Sequence, residues 1–144
     1  MLEMREAVIS IRGTQDYGEG EDATIELVTE GYYGYQQDFI KLTYMETELT
    51  GLQGTCTTFE VRPSGVIMTR EGVLTSQMVF EEGKKYSSMY ETPFGSSMMG
   101  VDTQKICNSL GERGGSLQIY YVVDFDHTVV GKNSFHITVK EIKS

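Results

Sequence analysis

Apolar residues in this chain recur at every second position, in short runs broken by glycine. In SLQIYYVVDF, Leu117, Ile119, Tyr121, Val123 and Phe125 fall on one face; Ser116, Gln118, Tyr120, Val122 and Asp124 fall on the other. SFHITVKEI sets Phe135, Ile137 and Val139 against His136, Thr138 and Lys140. ATIELVTEG sets Ile25 and Leu27 against Thr24 and Glu26, and FIKLTYM sets Ile40, Leu42 and Tyr44 against Lys41 and Thr43. Successive side chains of a strand point to opposite faces, so this spacing buries one face of a sheet and wets the other. Val, Ile, Thr and Tyr, which fill these runs, suit a pleated and half-buried surface.

Between the runs lie turn signals: Asp16–Asp22, Gly34–Asp38, Glu48–Gly54, Pro63–Gly65, Glu71–Gly72, Glu81–Lys84, Pro93–Gly95, Gly111–Gly115, Asp124–His127 and Gly131–Asn133. With 16 glycines and 2 prolines, the composition favours tight reversals, because glycine supplies positive φ at little cost. The spacing predicts roughly ten strands in succession, as in an antiparallel barrel or sandwich. One stretch, DTQKICNSLGERGG, offers a helical pair in Ile106 and Leu110. Val101 just before it, with Thr103, Lys105 and Cys107, also alternates, and Asn108–Ser109 suit a helix interior poorly, so the stretch reads as a strand entering a turn.

A chain of 144 residues is long enough for one core, and no linker or repeat divides it, so residues 1–144 form one predicted domain. Its net charge of −9, from 12 Lys and Arg against 21 Asp and Glu, repels phosphate backbones and disfavours nucleic acid as a partner. Cys56 and Cys107 stand far apart in the chain with no C-x-x-C pair, so they read as two free thiols rather than a zinc or redox site. At the start, MLEMREAVISI is interrupted by Glu3, Arg5 and Glu6 where an export signal would be apolar, and no window approaches the ~18 apolar residues of a membrane helix. The expected location is cytoplasmic.

Catalytic motifs are sparse. There is no G-x-S-x-G, P-loop or H-E-x-x-H. His127 falls in a turn and His136 on an outward face, so no metal site and no cofactor is expected. Glu81 and Glu82 are adjacent and point apart, so EEGKK reads as a charged hairpin tip rather than a catalytic pair. KKYSSMYETPFG places Tyr86, Ser88, Tyr90 and Thr92 on one face, and SSMMGV adds Met98 and Met99 with a bend at Gly100. Two Tyr with a Ser and a Thr could line a lumen that holds an amphipathic molecule, with Met adapting to its shape; equally, they could fill a narrow barrel. Arg70 shares a face with Val66 and Met68. If that face is inward, its guanidinium requires a carboxylate or an anionic ligand.

FEEGKK, YETPFG, MMGVDT, GERGGSLQIYY and GKNSFHITVKE run in the order of the YwiB-like proteins, a family of small bacterial proteins that this chain resembles over nearly its whole length, from ISIRGTQ to the last strand. YETPFG followed by MG is the most specific segment. The resemblance implies a single antiparallel, calycin-type or lipocalin-like β-barrel, a soluble cytoplasmic location, and no catalytic motif to carry over. It places ETPFG, Glu91 to Gly95, as a turn between two barrel strands. The expected function is non-enzymatic binding of a small apolar or amphipathic molecule, with Tyr86, Tyr90, Met98 and Arg70 as candidate ligand residues. A filled barrel working through its surface is the alternative, and an enzyme is the least supported reading.

Overall fold

The computed structural model describes residues 2–16, 22–48, 52–72, 75–92 and 94–142, with the side chains of residues 22 and 90–92 outside that description. Ten strands account for most of it: β1 (Arg5–Asp16), β2 (Asp22–Gln36), β3 (Phe39–Met45), β4 (Cys56–Arg62), β5 (Gly65–Glu71), β6 (Ser76–Phe80), β7 (Lys85–Thr92), β8 (Gly95–Asn108), β9 (Gly114–Phe125) and β10 (Thr128–Glu141). All ten belong to one antiparallel sheet, ordered β6-β5-β4-β3-β2-β1-β10-β9-β8-β7. Each strand thus pairs with its neighbours in sequence, and β1 pairs with β10. The exception is the seam between β6 and β7, which lie in contact without a ladder. Across the seam the Ser88 hydroxyl donates to the Gln77 carbonyl at 2.7 Å. The sheet curls into a nearly closed barrel, and no α-helix occurs among the described residues.

The alternation in sequence becomes rungs around the wall. Ile40, Val61, Val66 and Phe80 are cross-strand neighbours on β3 to β6, all buried; so are Leu42, Phe59, Met68 and Met78 one step along. The opposite wall contributes Ile9, Ile11, Leu117, Ile119, Ile137 and Val139. Aromatic rings tie the walls together: Phe59 meets Phe135 edge-on at 5.8 Å, Phe80 meets Tyr121 at 4.9 Å, and Tyr121 stacks on Phe135 at 5.6 Å. Such pairs add about 0.5–1.5 kcal/mol each beyond their buried area.

One end of the barrel is plugged. There the β8–β9 turn folds Leu110 into the core, and the Tyr33 hydroxyl donates to the Gly111 carbonyl at 2.5 Å. Gly114 follows at φ +125°, where a Cβ would lie 2.2 Å from the Val139 carbonyl oxygen, so only glycine passes. The opposite end holds the β1–β2, β3–β4, β5–β6, β7–β8 and β9–β10 connections. The last is a two-residue reversal with Asp126 at φ 51° and His127 at φ 70°.

Three expectations change. Gly131–Asn133 is not a turn: β10 runs through it with a bulge between Val129 and Gly131, which absorbs one residue without reversing the chain. A second bulge between Thr103 and Lys105 flips the end of β8, so Ile106 packs on the core and Lys105 leaves the face that Val101 and Thr103 share. EEGKK is a tight turn, but not the tip of a laddered hairpin. Its Glu82 carboxylate accepts from the Ile106 amide at 2.8 Å, and Gly83 N–H donates to the Thr103 carbonyl at 2.9 Å. The turn docks on β8 at the bulge, and its two strands stay unladdered. The Asp16–Asp22, Glu48–Gly54 and Pro93–Gly95 connections include residues 17–21, 49–51 and 93, which lie outside the described residues.

Candidate functional site

A third rung lies next to Leu42, Phe59, Met68 and Met78, toward the end opposite Leu110, and it is polar. Tyr44, Thr57, Arg70 and Ser76 are successive cross-strand partners on β3, β4, β5 and β6. Period two carries Arg70 inward with Val66 and Met68, and carries Glu46, just past the end of β3, inward after Tyr44. The Glu46 side chain is 1% exposed and that of Arg70 is 19% exposed, with Nε 3.7 Å from Oε2. The open question of Arg70's direction is therefore answered, and its counter-charge is a carboxylate of the same chain.

Glu46 has a partner besides Arg70. The Thr57 hydroxyl donates to its Oε2 at 2.6 Å, and the Tyr44 phenol lies close enough to feel its charge. The Glu46 amide donates to the Thr55 carbonyl at 2.8 Å, which fixes the strand exit from which the side chain turns in. Burial first, then the adjacent Glu46 charge, push the Tyr44 phenol above its ordinary value of 10.0. Burial also raises the Tyr121 phenol, opposed by the nearby Arg70 cation. Both phenols are neutral donors at physiological pH.

Arg70 is less well satisfied. Its Nε is buried without a hydrogen bond, and so are the hydroxyls of Ser76, Thr55 and Thr103. Above this rung opens a cavity of about 310 Å³. Phe135, Tyr121 and Met78 line it from the core side, Ile11, Ile25 and Leu27 from one wall, and Tyr44, Glu46 and Arg70 from the other. At about 30 Å³ per molecule the space equals roughly ten waters, the lower end of small-molecule sites. Among the described residues no group of three His, Cys, Asp or Glu could hold a metal ion.

Of the four candidates, Arg70 alone lines this cavity among the described side chains. Tyr86 stands opposite buried Val101, which puts it on the inward side, but at the seam it remains 36% exposed and its hydroxyl reaches Glu81 at 3.3 Å. Met98 faces outward beside Met89, 39% exposed. The Tyr90 backbone pairs with Ser97, and its side chain lies outside the described residues. Sequence reasoning passed over Glu46, Tyr44, Thr57, Ser76 and Tyr121. One signal was available: the inward series Ile40, Leu42, Tyr44 extends by one step to Glu46, as the series Val66, Met68 extends to Arg70, placing opposite charges on nearby inward positions.

The geometry has known counterparts. The crystal structure of the ywiB protein from Bacillus subtilis superposes with a TM-score of 0.84 at 22% identity, over 99% of this chain and 96% of that one. In sequence, the "Uncharacterized beta-barrel protein YwiB" of Bacillus subtilis (strain 168) is 27% identical over 103 residues, 72% of this chain and 71% of that protein. At these identities the likeness carries the fold, and it supports the YwiB-like resemblance read from the sequence. Residues 9–137 match the family model described as "Domain of unknown function (DUF1934)", and the chain belongs to that family.

Proposed function

We propose that this protein is a non-enzymatic, calycin-type barrel of the cytoplasm that binds one small amphipathic molecule in the cavity at the end opposite Leu110. The observation that carries this reading is the combination of about 310 Å³ of space with a half-apolar lining and a buried polar rung whose Arg70 Nε has no hydrogen bond. A barrel whose purpose is only to be stable has no use for an ion pair at that depth, since apolar side chains of similar size are as good or better. Charged outward positions such as Arg12, Glu26 and Lys140 fit a water-soluble barrel rather than one with a lipid-facing apolar band. A surface-working barrel is the second reading, favoured by the exposed Met89–Met98 pair on β7 and β8.

Native mass spectrometry of gently purified protein separates the two. The expected result is an added mass that leaves on denaturation and is absent from an Ile25→Trp variant, in which the indole occupies the cavity wall. A bare mass for the wild-type protein, or an adduct indifferent to that substitution, would count against the cavity and in favour of the outer surface.

A further inference from the structure

The donors and acceptors of the polar rung at Arg70 do not balance, and the imbalance points to the ligand's head group. The acceptor beside Arg70, the Glu46 carboxylate, already takes a hydrogen bond from Thr57. Arg70 Nε, 3.7 Å from that carboxylate, is beyond hydrogen-bonding distance of it, and the Ser76 hydroxyl, cross-strand from Arg70, is also unpartnered. Tyr121, on the opposite wall, adds a neutral phenol close enough to feel the Arg70 charge. The rung around Arg70 is therefore richer in unused donors than in free acceptors. Its complement is a molecule that brings acceptors.

Resting on the ligand-binding reading above, we propose that the bound molecule is a monocarboxylate amphiphile, its carboxylate on Arg70 and its apolar body against Ile11, Ile25, Leu27 and Phe135. A guanidinium offers a planar fork of N–H donors matched to a carboxylate. Glu46 sets the charge: a carboxylate close to Arg70 tolerates one further negative charge far better than two, so a phosphate monoester, dianionic near neutral pH, is disfavoured. Glu46 also holds the guanidinium in place before the ligand arrives. The deep burial of Ser76, 4% exposed, confines its hydroxyl to partners inside the barrel.

Isothermal titration of the full chain with octanoate, 1-octanol and octyl phosphate tests this. Octanoate is expected to bind at least tenfold more tightly than either of the others. In the double variant Arg70→Gln/Glu46→Gln, which removes both charges together, the preference for octanoate over 1-octanol should disappear. Equal binding of 1-octanol and octanoate by the wild-type protein, a comparison that needs no variant, would overturn the carboxylate head and leave the cavity reading standing. Preference for octyl phosphate would overturn it in favour of a dianionic head. Binding of none of the three would overturn it together with the cavity reading.

Discussion

Replacing Arg70 by Met leaves the Glu46 carboxylate buried without its counter-charge, and the cost follows from the geometry. At 3.7 Å and an effective dielectric of about 20, the pair attract by about 4 kcal/mol. Glu46 retains its hydrogen bond from Thr57, so part of its lost hydration remains compensated. Breaking a buried pair from one side costs about 3–5 kcal/mol, and with that donor kept we expect about 3. For a chain of this length that lowers Tm by about 6–12 °C. Glu46→Gln should cost less, because the guanidinium it strands borders the cavity and can be hydrated there. The double variant Arg70→Met/Glu46→Gln should return to within about 1 kcal/mol of the wild-type protein, since neither charge is left alone. Urea unfolding followed by circular dichroism measures all four proteins, with an unchanged m-value as the check that the same surface is exposed. A loss below about 1 kcal/mol for Arg70→Met, or a double variant weaker than either single one, would falsify the argument that the pair is a coupled buried unit.

Other perturbations read other parts of the barrel. Tyr33→Phe removes the hydroxyl that ties the plug to Gly111 and should cost about 1 kcal/mol in the same unfolding assay. Gly100→Ala would place a methyl 2.6 Å from the buried Asp124 carboxylate, which Lys85 holds at 2.7 Å; a loss of about 1–3 kcal/mol is expected, recovered in part by adding Asp124→Ala. Asp126→Asn with His127→Gly suits the two positive φ angles of the β9–β10 reversal and should raise stability by up to about 1 kcal/mol, read as a higher urea midpoint. Alkaline pH should unfold the protein earlier than a barrel without buried phenols. Tyr33, Tyr44 and Tyr121 all have folded-state pKa values raised above the ordinary 10.0. Below pH 10 both states keep these protons; above it the unfolded chain loses them first, so stability falls as pH rises. Tyr44→Phe should make that decline shallower, and an unchanged slope would argue against a buried phenol.

Much of the architecture was legible in the sequence because alternation is a local code. Once Leu117, Ile119, Tyr121 and Val123 share a face, any sheet that buries one buries all, whatever the neighbouring strand. Turn chemistry is local too, which is why the reversals at Pro63–Gly65 and Asp124–His127 were found. Local reading failed where one residue was absorbed without a reversal. The bulges after Thr103 and Val129 shift the register by contacts with other strands, and nothing in QKIC or VVGKN announces a partner. The seam was hidden for the same reason: whether β6 and β7 ladder depends on Glu82 and Gly83 reaching β8 rather than on EEGKK itself.

The candidate site divides in the same way. Sequence by itself determined an antiparallel wall with Arg70 on the face of Val66 and Met68, and the need of an inward guanidinium for an acceptor. Only the tertiary structure decided that this face is inward, that Glu46 meets it from two strands away, and that Tyr86 and Met98 lie at the seam and on the outer surface. Which face a strand presents is a matter of period. Which side chains share a cavity depends on how strands far apart in sequence are brought around the barrel, and a packed interior settles that through the joint volume of Phe59, Phe80, Tyr121 and Phe135, not through any one segment.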